Sequence, residues 1–270
     1  MSFCESARVV SVETITPHMI RIGMEPIGGW TWNTDGWGDE RVDVAFPVPG
    51  ETIADVAYFN QEGYGEGVLG GTEPPWRHYT VRRVENEGRL VFIDFVVHEG
   101  GLASDWASRA EPGHILGLFA EGPARAHYRR EQVRDWQLLV ADATGLPGLG
   151  RIVEGLAPGE RAHAIIEVQT PEDRQTLVTQ GDVEYTWLYG SGLGTSPSAL
   201  AEAVAALPEF PEGDIYAWVA CEASASRAIR KHLRRERGMS RDSHNAIGYW
   251  SDGNTGHVHG INRDEEPAVA

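Results

Sequence analysis

Arg77-His78-Tyr79-Thr80 lies between a turn-forming segment, Glu73-Pro74-Pro75-Trp76, and an alternating run, Val81-Arg82-Arg83-Val84. A strand through these residues sends Arg77 and Tyr79 to one face, because successive Cβ atoms alternate. The Arg fork matches the geometry of a phosphate. The Tyr ring offers a flat apolar surface for stacking, and the Thr hydroxyl can reach a heteroatom beside it. A flavin dinucleotide presents all three partners: phosphates, a planar ring, and ring N and O atoms. A half-buried strand with a surface Arg would show the same four residues, so their surroundings decide.

On either side of this stretch, residues 7–131 read as β-rich. Val9, Val10, Val12 and Ile15, then Met19, Ile20 and Ile22, are strand material. Arg41 to Phe46 alternates and ends at Pro47-Val48-Pro49-Gly50, while Leu90 to Val97 and Ile115 to Ala120 are further β runs. Short strands with frequent turn signals predict a sandwich or barrel. Within this region Gly101 to Ala107 reads as a loop entering a short helix, closed by Pro112-Gly113.

The pattern changes after residue 132. Strands are expected at Gln137–Ala141, Ala162–Val168, Thr186–Tyr189 and Ile215–Ala220. Helices are expected at Pro147–Leu156, Pro197–Leu207 and Ser224–Arg237. Strands alternating with helices imply parallel βα units, so the second half reads as a doubly wound α/β domain. A ligand there belongs beyond the carboxyl ends of the strands. The expected domains are 1–132 and 133–260, with 261–270 a flexible acidic tail.

Composition narrows the function classes. The chain has 270 residues, 41% of them hydrophobic, with nine Trp, 32 Gly and 15 Pro. That is enough apolar material for a large core and many turns. A net charge of −17 and a pI near 4.9 oppose nucleic-acid and anionic-membrane binding. Two cysteines, Cys4 and Cys221, make neither a disulfide framework nor a cysteine-rich metal site. No basic segment followed by an apolar core opens the chain, and no apolar window is long enough to span a bilayer. A soluble, cytoplasmic, monomeric protein is expected.

Several further constellations are candidates. Gly101 to Ser104 feeds a helix start, where backbone N–H groups and the helix dipole favour an anion. Ser104 either caps that helix or binds the anion; with Arg77 it points to one pyrophosphate. Ala141-Asp142-Ala143-Thr144-Gly145 follows the first strand of the second half, where a nicotinamide dinucleotide would lay its phosphates, although it is no G-x-G-x-x-G motif. Gly190-Ser191-Gly192-Leu193-Gly194 is a second loop of this kind. Cys221, at the end of a strand, either packs or lies against a nicotinamide ring. Tyr249-Trp250 either covers a flavin face or packs the domain edge. Arg227, Arg230, Lys231, Arg234, Arg235 and Arg237 crowd one helix, as a phosphate patch or as a solvated face. No His-x-x-x-His, Cys-x-x-Cys or carboxylate cluster indicates a protein-bound metal. His257 and His259 read as solvated, and no Gly-x-Ser-x-Gly elbow is present.

Taken in order, these blocks resemble the siderophore-interacting protein family, of the ferredoxin-reductase-like flavoproteins. The resemblance spans roughly residues 7–253. It is carried by Pro74 to Arg82, by Asp94-Phe95-Val96-Val97-His98 through Gly101, Ala103-Ser104 and Trp106-Ala107, by Ala217 to Ala223, and by Gly248-Tyr249-Trp250. It implies an antiparallel six-stranded Greek-key FAD-binding barrel followed by an NAD(P)H-binding α/β domain, and an NAD(P)H-dependent ferric-siderophore reductase. Arg77 would hold FAD phosphate, Tyr79 would stack on the isoalloxazine, and Thr80 would reach the ring edge. His98, Gly101, Ala103 and Ser104 would line the adenine and pyrophosphate side. Asp142, Thr144, Cys221 and Glu222 would face the nicotinamide nucleotide. Tyr79, Thr80 and Cys221 would position reacting groups without acting as a general base.

Two positions depart from the family pattern. Ala143 stands where the family usually has an acidic residue, with Gly145 for a small Ala. Ser251 stands where Arg commonly follows Gly-Tyr-Trp. The lost charge near a substrate entrance motivates one alternative, a flavin-dependent reductase of an organic metabolite or partner oxygenase; a non-catalytic carrier of a flavin or iron chelate is kept as a second. NADH and NADPH are equally open, since Glu167 suggests a ribose contact and the basic helix a 2′-phosphate.

Overall fold

The computed structural model describes residues 4–34, 36, 38–61, 73–119, 126–130, 135–191 and 196–251. The first strands are β1 (Cys4–Thr16), β2 (Met19–Pro26), β3 (Arg41–Ala45), β4 (Trp76–Glu85), β5 (Leu90–Val96) and β6 (Ile115–Phe119). They close a barrel in the order β1-β2-β5-β4-β3-β6, with every neighbouring pair antiparallel. Helices α1 (Val56–Phe59) and α2 (Leu102–Ala107) lie in its connections.

The period of two explains why these segments form the barrel. Val42 and Val44 of β3, Val91, Ile93 and Phe95 of β5, and Leu116 and Leu118 of β6 are all buried in one apolar cluster. Asp43, Asp94 and Gly117 alternate with them, and Phe92 of β5 takes the other face beneath the Arg83 guanidinium. Across β3 and β4, Val44 pairs with Arg77 and Val42 with Tyr79, so those side chains share the face of the valines.

The register of β4 against β5 slips between Val81 and Arg83. A bulge of this kind re-aims a side chain. Here it turns Arg82, only 6% exposed, to donate to both carboxylate oxygens of Glu154, at 2.7 and 2.5 Å.

Five more strands follow: β7 (Trp136–Ala141), β8 (Arg161–Val168), β9 (Asp182–Tyr189), β10 (Ile215–Glu222) and β11 (His244–Trp250). They form one sheet in the order β11-β10-β7-β8-β9. The β7–β8, β7–β10 and β10–β11 pairs are parallel. Parallel strands are covered on both faces, which matches the continuous burial of β7 and β10. Helices α3 (Leu146–Glu154), α4 (Leu200–Ala205) and α5 (Ala223–Arg235) lie between these strands in sequence. On α5, Ala225, Ile229 and Leu233 recur every four residues and are buried, while Arg227, Lys231, Arg234 and Arg235 are exposed. Among the described residues no helix is long and apolar enough to cross a membrane.

By compactness the chain forms two units. The first takes Met1–Glu131, Leu146–Gly159 and Thr170–Asp182; the second takes Gln132–Gly145, Glu160–Gln169 and Val183–Ala270. Helix α3 and residues 170–182 thus group with the barrel rather than with the sheet that flanks them in sequence. Strand β11 was not among the expected strands. The expected tail and His257 and His259 lie outside the described residues.

Candidate functional site

In the first unit, the Tyr79 ring sits against Phe95 with centroids 4.5 Å apart, and its edge meets Phe46. Tyr79 is half-buried, and burial raises its phenol pKa, with Arg77 pulling the other way. The ring therefore stays neutral at pH 7. Arg77 lies on the same face two residues away and donates from Nη1 to the Trp76 carbonyl at 2.7 Å. His78 points oppositely: its Nδ1 pairs with Asp43 Oδ1, and its ring meets Trp76 edge-on at 5.1 Å. Thr80 is 6% exposed and lies opposite Arg41 in the β3–β4 register.

The loop before α2 is held by Ser104. Its hydroxyl donates to the His98 carbonyl at 2.6 Å and accepts from the His98 backbone N–H at 2.8 Å. Ser104 therefore does not cap α2: the N-cap is Gly101, which has no side chain to do so. The buried hydroxyl fixes the loop from beneath. A Cβ on Gly101 would come within 2.5 Å of the His98 ring, so a larger residue there would push that exposed ring aside. Ala103 is buried and His98 is exposed.

In the second unit, Asp142, Thr144, Glu222 and Trp250 come together at the carboxyl ends of β7, β10 and β11. Strands leave β7 in both directions there, through β8 on one side and β10 on the other, which makes it the switch point where doubly wound sheets take ligands. Asp142 Oδ1 accepts from Thr144 N at 2.9 Å, Thr144 Oγ1 at 2.6 Å and Gly145 N at 3.2 Å. Asp142 Oδ2 accepts from Glu222 N at 2.9 Å and Trp250 Nε1 at 2.7 Å. Burial pushes the Asp142 carboxyl up to about 6, against the pull of these hydrogen bonds. Glu222 caps α5, accepting from Ser224 N at 2.5 Å and Ala225 N at 3.1 Å. Tyr249 and Trp250 are half-buried.

Two expectations need correction here. Cys221 does not present its thiol to a ligand: it is 0% exposed within the apolar cluster of Val219, Ala225 and Ala246, and the thiol donates to the Glu222 carbonyl at 3.6 Å. Burial raises its pKa well above that of a free thiol, reinforced by Asp142, Glu167 and Glu222. Glu167 is likewise wholly buried, with Oε1 accepting from Ala199 N at 2.7 Å rather than facing a ribose. Of the two readings of the basic helix the solvated face holds for Arg227, Lys231, Arg234 and Arg235, which are exposed, whereas Arg230 is half-buried and donates to the Ala246 carbonyl; Arg237, beyond the end of α5, is stacked on Phe210 and donates to the Leu207 and Pro208 carbonyls. Gly192 to Gly194 lie outside the described residues. The Arg82 bulge, the His78–Asp43 pair and the Trp250–Asp142 bond had no sequence signal, since each joins distant strands.

A closed antiparallel barrel followed by a parallel sheet with its polar cluster at the switch point defines a ferredoxin-reductase-like protein. Residues 8–127 match the family model of the siderophore-interacting FAD-binding domain, and residues 134–253 that of the siderophore-interacting protein. The chain belongs to the siderophore-interacting protein family. It is similar to the crystal structure of a siderophore utilization protein from T. fusca, with 32% identity, 94% of each chain covered and a TM-score of 0.78. It is 33% identical over 184 residues to the ferric vibriobactin reductase ViuB of Vibrio cholerae, covering 67% of this chain and 66% of that one. It is 28% identical over 235 residues to the NADPH-dependent ferric-chelate reductase of Escherichia coli, covering 84% and 85% respectively.

The residues of the first unit fit FAD. A half-buried phenol backed by Phe95 leaves surface for a planar ring, and a guanidinium lies on the same strand face for a phosphate. Trp106, packed on Phe95 and Phe46, has a buried indole N–H with no partner among the described residues. A buried donor of this kind calls for an acceptor.

Proposed function

We propose that this chain is an FAD-dependent reductase of ferric siderophores that draws its electrons from NADH or NADPH. The observation that carries this reading is the shared face of Arg77 and Tyr79 on β4, with the Tyr79 ring seated on Phe95. The reductase names of the Vibrio cholerae and Escherichia coli relatives support it.

When bound, FAD would supply the exchange between a two-electron hydride donor and one-electron reduction of iron. The protein supplies binding and orientation. Arg77 holds phosphate, Tyr79 provides the stacking surface, and Thr80 reaches the ring edge. The Ser104 clamp and Gly101 shape the loop for the adenine and pyrophosphate side, alongside His98 and Ala103. Thr144, Glu222, Tyr249 and Trp250 form the surface for the nicotinamide nucleotide, and Asp142, 1% exposed, holds Thr144, Glu222 and Trp250 from beneath rather than facing it. Fe(III) prefers hard oxygen donors, and Fe(II) is held more weakly by the same ligands, so reduction releases it. That electron step requires no protein acid or base, and Tyr79, with its raised pKa, is no proton donor for it.

The test is NAD(P)H oxidation by FAD-loaded protein in the presence of ferric catecholate, hydroxamate and citrate complexes, with a ferrous-specific dye reporting Fe(II). Turnover with at least one iron complex is expected. Turnover with quinones or free flavin but with no iron complex would support the organic-substrate reading that Ser251 suggests. Flavin that stays oxidised under anaerobic NADH and NADPH would leave a binding protein.

A further inference from the structure

A cavity of about 300 Å³ opens in the first unit between β2, β4, the last turn of α3 and residues 174–176. Its wall carries Arg21, Arg82, Arg83 and Arg174, with Glu154 and Gln175. In a chain of net charge −17 with only 23 Lys and Arg residues, four guanidiniums around one small cavity are a marked local concentration.

The donors divide into two groups. Arg21 gives Nε and Nη2 to Asp94 at 2.7 and 2.8 Å, and Arg82 gives both Nη groups to Glu154. These pairs fix the two guanidiniums in place and neutralise them. Arg21 Nη1 has no protein acceptor among the described residues. Arg83 gives Nε to Glu85 at 2.9 Å and lies over the Phe92 ring at 4.3 Å, so both its Nη groups remain without an acceptor there. The Arg83–Glu85 pair is about half exposed, where water screens it and leaves the Arg83 charge effective. Arg174 adds a fourth cation. Gln175 Nε2 is buried without a partner, and native structures rarely leave such a donor unsatisfied.

We propose that this cavity binds a small phosphate-class oxyanion. Such an anion accepts from several N–H groups at once, which suits the donors of this wall that its carboxylates leave open: Arg21 Nη1, the two Nη groups of Arg83 and Gln175 Nε2. The cavity is at the small end of ligand pockets, about 300–1,000 Å³. That suits inorganic phosphate or pyrophosphate rather than a nucleotide. Arg77 is not part of this wall, so the site is separate from the phosphate contact proposed for FAD.

The test is calorimetric titration of the full chain, saturated with FAD, with sodium phosphate and then pyrophosphate at low ionic strength. Saturable binding of one anion per chain is expected. Arg83→Met and Gln175→Met should each weaken it at least tenfold, and Arg77→Ala should leave it unchanged. Arg83 is about half exposed, so its removal spares the fold, and the similar volume of Met keeps the Gln175 variant packed. No saturable heat with either anion would overturn the proposal. So would binding lost in Arg77→Ala but intact in both cavity variants, because the anion would then occupy a nucleotide site.

Discussion

Trp250 donates its indole N–H to Asp142 Oδ2 at 2.7 Å, tying the end of β11 to the turn after β7 across the intervening β10. The same oxygen accepts from Glu222 N at the end of β10. One carboxylate thus closes the switch point of the sheet, with five hydrogen bonds from three strand ends. An Asn at 142 would keep the Oδ1 contacts but set its own N–H2 against two donors. Asp142→Asn is expected to lower stability by about 2–4 kcal/mol, the cost of unpaired buried donors facing each other. Urea unfolding of the second unit's signal measures it, and a loss below about 0.5 kcal/mol would show that the carboxylate does not hold the strand ends.

Asp142 also gives the molecule a titration in an unusual range. Its carboxyl is pushed up to about 6 by burial. The folded pKa lies above the unfolded one, near 3.9, so the folded state binds this proton more tightly. The contribution of this group to stability is therefore greatest below the unfolded pKa and falls as pH rises to about 6. Trp250 reports the event directly, since its N–H faces the titrating oxygen. The fluorescence difference between wild type and Trp250→Phe should titrate near pH 6 and lose that step in Asp142→Asn. A difference that is flat from pH 5 to 7 would place the transition elsewhere.

Gly145 explains one departure from the family pattern. A Cβ there would lie 2.2 Å from the Ala220 carbonyl oxygen, so the turn approaches β10 more closely than any side chain permits. Gly145→Ala, although it restores the usual family residue, is expected to cost about 1–3 kcal/mol in this chain through overpacking. A neutral thermal shift would mean that the turn relaxes freely. Ala143, the second departure at this loop, is 5% exposed, and an acidic residue there would have to be accommodated without solvent.

The strands of the barrel were legible because their signals are local: alternation in Arg41 to Phe46 and the apolar run from Leu90. So were the βα units, whose helices carry apolar residues every four positions. Strand β11 was not, because His244 to Trp250 holds only scattered apolar residues and becomes a strand through its pairing with β10. At the site, alternation placed Arg77 and Tyr79 on one strand face, as β4 has them, while for Ser104 the cap reading fails and for Cys221 the packing reading holds. A Ser near a helix start suggests a cap, whereas this hydroxyl bonds backward to His98. A Cys at a strand end looks available, but its exposure depends on helix α5, which the sequence places only in order and not in space.

Removing the Arg77 guanidinium tests the cofactor reading at one atom group. Arg77→Ala should weaken FAD binding by about 1.5–3 kcal/mol, the size of a charge-assisted hydrogen bond. The variant should elute with less flavin than wild type after dialysis, and its dissociation constant should rise roughly 10- to 150-fold on that scale. Full retention of the yellow colour would remove Arg77 from the phosphate contact while leaving the fold untouched.

The two thiols distinguish packing from chemistry. Cys4 is 1% exposed, and burial pushes its pKa to about 12, while Cys221 is 0% exposed with its pKa also raised. Only the thiolate attacks a disulfide reagent, and it must be reached. Native protein at pH 8 should therefore show almost no reaction with a colorimetric disulfide, and two thiols should titrate once the chain is unfolded in guanidinium. Cys221→Ala removes one sulfur from a closed cluster, so about 1–2 kcal/mol of stability should be lost, at the low end for a small core truncation. Turnover per folded molecule should change by less than about twofold, because on this structure the sulfur touches the Glu222 carbonyl and core side chains rather than a ligand. A fall of about a hundredfold with normal flavin content would mean that the sulfur moves to the nicotinamide during turnover. Rapid modification of Cys221 in the native protein would then be expected as well, since the same motion would expose it to the reagent.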